Sequence, residues 1–316
     1  MTQTIINQTD TTQAPADAPR LLVNPAVAII RCSDNEVFIR HGSRSATSHR
    51  IEDTKGRGRL ANFAEAFAVP RTVTEAASST DTDALDAAEF TQHLLDGHAL
   101  IPDADRNYGY AIAGLGSPGI PAAAQLAVVG EGRVGTAVAR QLTDLLRRPV
   151  EQAAELITAF EDCDFVVVAA DALNPGLFYD ADEAAMETGT PWQLVYVDGG
   201  EVMVGPTFIP GMTVGYYDLD TMDESGRTMR MDYQFLKTAT AAVPATAPVP
   251  YAVADLAASY ASLSVLQHLT GKGSFLENHV LRLDLERMHV IRDRVMRLAR
   301  TPRDLANRND LRHPFL

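Results

Sequence analysis

The sequence predicts an α/β protein in two parts, a small winged-helix-like α+β domain followed by a parallel α/β domain. Two strand-like runs, AVAIIRC (26–32) and EVFIRHG (36–42), precede three helical patterns. Beyond a glycine-rich stretch, buried-type runs such as LAVVG (126–130) and DFVVVAAD (164–171) alternate with helical patterns. Such alternation is typical of a parallel sheet covered by helices on both faces. A length of 316 residues accommodates two domains of this kind.

Changes in composition along the chain give the expected boundaries. Residues 1–20 are polar and lack the apolar segment of a signal peptide, so we expect a disordered tail. Glycines and prolines concentrate in the linker expected at 104–124. The two domains are therefore expected at 21–103 and 125–316.

Periodicity predicts the elements inside each domain. In the first, a third strand at 46–52 and helices at 60–68, 72–78 and 83–95 follow the two strands named above. In the second, the expected helices and strands after LAVVG are a helix to 146, a helix at 152–160, a strand at 164–171, a helix at 182–187, a strand at 192–200, a helix at 253–269 and a strand-like then basic helical stretch at 283–300.

Charge and composition exclude several classes of protein. The formal net charge of −14 argues against nucleic-acid binding, which needs a basic face. No run approaches the roughly 20 apolar residues of a membrane span. Two cysteines supply neither a disulfide framework nor a four-thiolate zinc site, and a reduced cytoplasmic compartment is the simplest interpretation. A homodimer is left open.

A glycine-rich loop follows the first strand of the second domain. Gly130, Gly132 and Gly135 have the spacing G-x-G-x-x-G between a strand and a helix, where backbone N–H groups can bind a phosphate. A dinucleotide site also needs an acidic residue about 20 positions on, to bind a ribose hydroxyl. Glu151 is the only candidate, with hardly a strand before it. The glycines therefore indicate either a phosphate site or only a tight turn.

Longer motifs resemble a known family. VYVDGGEVMVGPTFIPGMTVGYYDLD (195–220), taken with VVGEGRVG (128–135) and VVVAADALNPG (166–176), resembles the E1-like, ThiF-type adenylating fold. The resemblance is greatest to its ocin-ThiF-like branch, the F proteins or leader-peptide-binding proteins of azole-containing ribosomal peptides (RiPPs), thiopeptides among them. VAIIRCSDNEVFIRHGSR (27–44) and DALDAAEFTQHLLDGHALIP (83–102) resemble the PqqD-like RiPP recognition element.

The chain departs from the ThiF-type pattern at the positions that carry its chemistry. Gly215 and Asp218 stand where the family has a zinc-binding C-x-x-C, so structural zinc is expected to be absent. Arg133 replaces a loop glycine, where a long cation can shield a phosphate but is expected to crowd the approach of the backbone. Asp171 is followed by no second aspartate for magnesium. We therefore expect no cofactor, and Gly130, Gly132, Gly135 and Asp171 to be a vestigial nucleotide loop.

The resemblance implies a non-catalytic protein that binds a leader peptide and presents the precursor to a separate YcaO-type cyclodehydratase. The leader would add a strand beside residues 46–52, in the groove against the last helix of the first domain. The residues expected to bind it are Arg44, Thr47, His49, Arg50, Ile51, Phe90, His93 and Leu94. Phe90 and Leu94 are equally consistent with a core role.

Charge along 40–59 supports the same site. This segment contains six cations and only two acids, which predicts a basic edge that attracts an acidic leader. The cations are Arg40, Arg44, Arg50, Lys55, Arg57 and Arg59. The alternatives are an ATP-dependent adenylating enzyme acting on a peptide and a nicotinamide-dependent oxidoreductase. A second basic stretch, with nine arginines and five acids between Arg282 and Arg312, indicates either a docking surface or a solvated helix.

Overall fold

The computed structural model of the chain describes residues 18–42, 48–108, 124–226, 230–238, 247–271 and 273–298. The chain divides into two compact units, Met1–Gly116 and Ser117–Leu316.

The first unit combines a three-stranded antiparallel sheet, three helices and a two-stranded ribbon. The sheet has the order β2-β3-β4, and the ribbon pairs β1 with β5. The elements are β1 (Leu21–Val23), β2 (Ala28–Ser33), β3 (Glu36–Arg40), β4 (His49–Glu52), α1 (Leu60–Ala66), α2 (Val73–Ser79), α3 (Ala84–Asp96), β5 (Leu100–Pro102) and a 3₁₀ helix (Asp103–Tyr108).

Local signals explain where these helices begin. Thr72 and Glu75 form a capping box at the start of α2, and the Asp83 carboxylate accepts the N–H groups of Leu85 and Asp86 at the start of α3. The apolar faces of α1 and α3 then meet the sheet, with Phe63, Phe90 and Ile39 in one core. The three sheet strands and three helices lie where periodicity predicts them, although β4 as described begins at His49 rather than at 46.

The second unit is built around a seven-stranded sheet with the order β12-β11-β10-β9-β8-β6-β7. Its elements are β6 (Leu126–Val129), α4 (Arg133–Leu146), β7 (Glu151–Ala153), α5 (Leu156–Asp162), β8 (Phe165–Ala170), α6 (Pro175–Thr188), β9 (Trp192–Asp198), β10 (Glu201–Phe208), α7 (Tyr216–Gly226), α8 (Arg230–Thr238), α9 (Tyr251–Leu269), β11 (His279–Asp284) and β12 (His289–Arg294).

Three of the seven strands depart from the parallel arrangement that the sequence predicts. Strands β7, β6, β8 and β9 are parallel, as expected for a Rossmann-like core. Strands β10, β11 and β12 are antiparallel extensions. The sequence motif beginning at Val195 therefore contains a hairpin, since the chain turns between Asp198 and Glu201 and returns beside β9.

Two further predictions for this unit are corrected. A short strand, β7, occupies the first residues assigned to a helix at 152–160, and the helix begins at Leu156. The basic segment expected to be helical forms β12 instead, and the described residues after it, up to Leu298, are not helical. The strand is defined by its pairing with β11, which runs from His279 opposite Arg294 to Asp284 opposite His289.

Both faces of the sheet are covered. Helices α4 and α9 pack on one face and α5, α6 and α7 on the other, each around a separate apolar cluster. None of the helices within the described ranges is long and apolar enough to cross a membrane.

Candidate functional site

The glycine-rich loop connects β6 to α4, as the sequence predicts, and its first glycine is required by the fold. Gly130 has φ +126°, and a Cβ added there would lie 1.8 Å from the carbonyl oxygen of Ala169 in β8. The residue is therefore glycine because two neighbouring parallel strands approach closely at this point. No ligand is needed to account for it.

Asp171 accounts for the second glycine. Its carboxylate accepts the backbone N–H groups of Arg133 (3.0 Å) and Val134 (2.8 Å) in the first turn of α4. Gly132 has φ +112°, and an added Cβ would lie 2.6 Å from the Asp171 Cγ. The positive end of a helix is where a phosphate would bind. Here the two N–H groups already donate to a carboxylate of the protein.

The rest of the predicted loop is also used within the fold. Gly135 lies in the first turn of α4 against the Gly130 carbonyl. The Arg133 side chain does not crowd the loop, which corrects the expectation. Its guanidinium donates to the Val249 carbonyl (3.0 Å) and stacks on the Tyr251 ring at 4.1 Å. This arginine therefore ties the start of α4 to the start of α9.

A cavity of about 1120 Å³ lies beside the loop. Gly130, Gln152, Ala153 and Asp171, at the ends of three parallel strands, line it, together with Asn174 at the start of α6 and Lys237 of α8. Gln152 donates to the Gly130 carbonyl at 2.7 Å. At the end of β7, where a ribose would need a carboxylate, the lining residues are Ala153 and Ala154, and Glu151 is not among them.

Lys237 of α8 belongs to a buried polar cluster at the border of this cavity. Its Nζ lies 2.6 Å from Asp220 and 2.8 Å from Glu224. The hydroxyls of Tyr179 and Tyr233 donate to the same Asp220 carboxylate at 2.6 and 2.5 Å. Burial, followed by the hydrogen bond to Asp220, raises the pKa of both phenols. Sequence reasoning missed this cluster, because its members lie on three helices far apart in the chain.

The position expected to have lost zinc is filled by hydrogen bonds. The buried Asp218 carboxylate accepts the N–H of Gly215 and the N–H of Leu298, both at 2.9 Å. It thereby joins the start of α7 to the segment that follows β12. Within the described ranges, no three His, Cys, Asp or Glu side chains are grouped as they would be around a metal ion.

The second candidate site is the outer edge of β4. Among the described residues β4 pairs with β3 alone, in a register that sets Val37 opposite Ile51 and Phe38 opposite Arg50. The Asp53 N–H donates to the Asn35 carbonyl, so Asn35 and Asp53 are a hydrogen-bonded pair. Bonded and non-bonded pairs alternate along an antiparallel ladder, so Val37 and Ile51, two residues further on, are also a hydrogen-bonded pair. Alternation then directs the N–H and C=O groups of Arg50 and Glu52 away from β3, toward the open edge.

The predicted peptide-binding residues are distributed around this edge. His49 and Ile51 share the face of β4 toward α3. The His49 ring meets His41 edge-on at 5.7 Å, while Ile51 packs on the core. His93 is exposed on α3. Phe90 and Leu94 are only 2% and 0% exposed, so they lie in the core, which is one of the two roles that the sequence allows for them. Arg44 and Thr47 lie outside the described residues.

Arg57 bridges the gap between the end of β4 and α3. Its guanidinium pairs with Asp53 (2.8 Å), Glu89 (2.9 Å) and Asp86, and lies 4.5 Å from the centre of the Phe90 ring. The hydrogen bonds to Arg57 lower the pKa of Asp53 and bring the pKa of Glu89 to about 2.

The basic edge expected from residues 40–59 is largely neutralised. Four of its six cations pair with carboxylates: Arg50 with Glu36 (2.6 Å), Lys55 with Glu89 (2.8 Å), Arg57 as described, and Arg59 with Asp81 (3.1 Å). Most of these carboxylates lie outside residues 40–59, so counting the charges within that segment does not include them.

Known proteins of similar structure were found, although no family model and no curated protein matches the chain. A heterocyclase in complex with substrate and cofactor has a TM-score of 0.65 at 15% identity, over 90% of this chain and 39% of that chain. The heterocyclase TruD gives 0.63 at 15% identity, over 88% and 42%. E. coli MccB with ATP gives 0.52 at 14% identity, over 88% and 97%.

The chain thus spans about two fifths of the length of the heterocyclase chains and nearly the full length of MccB. At this level of identity the likeness concerns architecture. The protein shares the fold of these heterocyclase and MccB structures.

Proposed function

We propose that the protein is a non-catalytic scaffold that binds the leader of a ribosomally made precursor peptide. It presents the precursor to a separate YcaO-type cyclodehydratase, which converts Cys, Ser or Thr residues to azolines. The shared fold with heterocyclases supports the pathway, since a match over 90% of the chain includes residues of both units. Ring formation is assigned to the partner because the described residues account for the glycine loop and its neighbours by contacts within the protein.

The open edge of β4 carries the proposal. An extended peptide that pairs with this strand gains main-chain hydrogen bonds from the outward-facing groups of Arg50 and Glu52. Its alternate side chains then lie between β4 and α3, where Ile51, His49 and His93 are the available contacts. Phe90 and Leu94 support this surface from the core, and the Arg57 network closes the end of the gap.

The charge distribution sets the character of the binding. Since most cations along β4 and the following loop are paired with carboxylates, affinity comes from backbone pairing and apolar contact. Electrostatic steering by free cations, expected from the sequence, contributes little. The dissociation constant should therefore depend only weakly on salt.

The absence of nucleotide chemistry is part of the proposal. Adenylation needs donors and metal ions that offset the charge of a triphosphate. The N-terminus of α4 donates to Asp171, and Lys237 is held by two carboxylates. A magnesium-dependent ATP–pyrophosphate exchange signal would instead favour the adenylating alternative. The nicotinamide alternative is disfavoured because alanines stand where the ribose carboxylate should be.

Peptide binding is tested by two substitutions at one position. Arg50→Pro removes the outward-facing N–H, and an edge strand tolerates proline on that side. Arg50→Ala is the matched control, because it removes the same ion pair with Glu36 and keeps the N–H. The probes are fluorescein-labelled leader segments of short precursor-like peptides encoded beside the gene, titrated by fluorescence anisotropy.

We expect Arg50→Pro to weaken binding by about 1–2 kcal/mol, or roughly 5- to 30-fold, and Arg50→Ala to bind almost as the unaltered protein does. Circular dichroism establishes that both variants are folded. Equal affinity of the folded Arg50→Pro variant and the unaltered protein would refute strand addition at β4.

A further inference from the structure

The outermost strand of the large sheet is a second open edge. All six residues of β12 are exposed, including Val290 and Ile291 at 45% and 40%. Among the described residues β12 pairs with β11 alone. Long exposed edges with apolar residues are sites where another strand adds.

Hydrogen-bond alternation shows which groups of β12 face outward. The Val295 N–H donates to the Asn278 carbonyl, and continuing the β11–β12 register places Asp293, Ile291 and His289 in the hydrogen-bonded set. The N–H and C=O groups of Val290, Arg292 and Arg294 therefore point away from β11. They form a continuous row of donors and acceptors along the strand.

This strand is complementary to a second copy of itself. In an antiparallel pair of β12 strands related by a two-fold axis, each residue whose backbone groups face outward must lie opposite another such residue. Two registers meet this condition while pairing five of the six residues of each strand. One register sets Arg292 against Arg292 of the other copy. The other sets Ile291 against Ile291 and, on both sides of it, His289 against Asp293.

The second register satisfies charge and packing together. Its centre is an apolar pair, and each flanking pair lets an imidazole N–H donate to a carboxylate. Asp293 is half-exposed in the single chain, and Arg282 holds it at 3.2 Å on the same face as Ile291. The carboxylate is thus already positioned to accept from His289 of a second copy.

We infer that two copies of the protein join along β12 in this register, which makes one continuous sheet from the two seven-stranded sheets. The occupant of the edge is a second copy of this chain. A seam of two strands is smaller than a standard interface, so the dimer forms in a concentration-dependent equilibrium.

Charge-changed variants test the inference. With His289→Glu alone, both flanking pairs become Glu–Asp, and with Asp293→Lys alone, both become His–Lys. A mixed dimer of the two variants instead has one Glu–Lys pair and one Asp–His pair. Sedimentation velocity at about 1 to about 100 µM should show the unaltered protein dimerising, each variant monomeric, and the equimolar mixture dimeric again. Loss of folding cannot imitate recovery on mixing.

A cross-link tests the register. Opposed residues in a non-hydrogen-bonded antiparallel pair have Cα atoms about 4.5 Å apart, which a disulfide can span. With Cys32 and Cys163 replaced by serine, oxidised Ile291→Cys should give a covalent dimer. Arg292→Cys, at the two-fold axis of the other register, is the matched control and should stay monomeric. A monomeric unaltered protein, variants that dimerise normally, or cross-linking at 292 alone would overturn the inference.

Discussion

Asp171 is expected to stabilise the second unit by capping α4, and its replacement tests whether the glycine loop is architecture or a phosphate site. Asp171→Ala removes the acceptor of two backbone N–H groups, at 3.0 and 2.8 Å. Loss of an N-terminal cap costs about 0.5–2 kcal/mol, and loss of a negative charge at a helix N-terminus adds about 0.3–1 kcal/mol. We expect a total of about 1–3 kcal/mol.

Tryptophan fluorescence can measure this change in the second unit alone. The chain has one tryptophan, Trp192, fully buried in the sheet of that unit. At about 2–4 °C per kcal/mol for a domain of this size, Asp171→Ala should lower the melting temperature by about 2–12 °C. Asp171→Asn is the matched control. It keeps one oxygen acceptor without the charge, so its melting temperature should fall between the other two.

Nucleotide addition separates the two roles of Asp171. If the carboxylate only caps α4, Mg·ATP should leave the melting temperature of the unaltered protein unchanged. Melting of Asp171→Ala at the original temperature would refute a capping role. Stabilisation of the unaltered protein by Mg·ATP, abolished by Asp171→Ala, would also refute it, because Asp171 would then serve a bound nucleotide.

Three further predictions concern other polar contacts. Asp218→Ala leaves two partly buried N–H groups without their acceptor and should destabilise the second unit by about 1–3 kcal/mol in urea unfolding followed by the same tryptophan signal. Because burial and then Asp220 raise the pKa of Tyr233, the folded state holds that phenolic proton more tightly. Stability should therefore fall as pH rises above about 10, and Tyr233→Phe should weaken this decline in melting temperature. Arg57 lowers the pKa of Glu89 to about 2, so stability present above about pH 4.3 is lost as pH falls toward 2, and Arg57→Met should flatten this loss in circular dichroism melts.

Local patterns predicted the elements whose causes are local. The alternating strands and the apolar runs of β6, β8 and β9 follow directly from periodicity, as does the glycine loop between β6 and α4. The break at β7 was missed because a three-residue strand carries almost no periodic signal. The antiparallel extension by β10 to β12 was missed because sequence resemblance identified a motif at 195–220 without showing that the chain turns back within it.

In the candidate sites too, only local features could be predicted. The sequence shows which residue types are present, but not their hydrogen-bond and ion-pair partners, because these lie on elements distant in the chain. Arg57 was counted as part of a free basic edge, yet it lies against Asp86 and Glu89 of α3. Asp171 was assigned to a vestigial nucleotide loop, but its carboxylate accepts hydrogen bonds at the N-terminus of α4. Lys237 is far from the glycine loop in the sequence, although α8 brings it to the cavity beside the loop.

Amide hydrogen exchange during peptide titration reports strand addition at β4 residue by residue. The N–H groups of Arg50 and Glu52 face the open edge, whereas the N–H of Ile51 belongs to the set that bonds β3. Saturation with the leader peptide should therefore slow exchange at Arg50 and Glu52 and leave Ile51, protected from the start, nearly unchanged. Peptide binding without new protection at Arg50 and Glu52 would contradict the account.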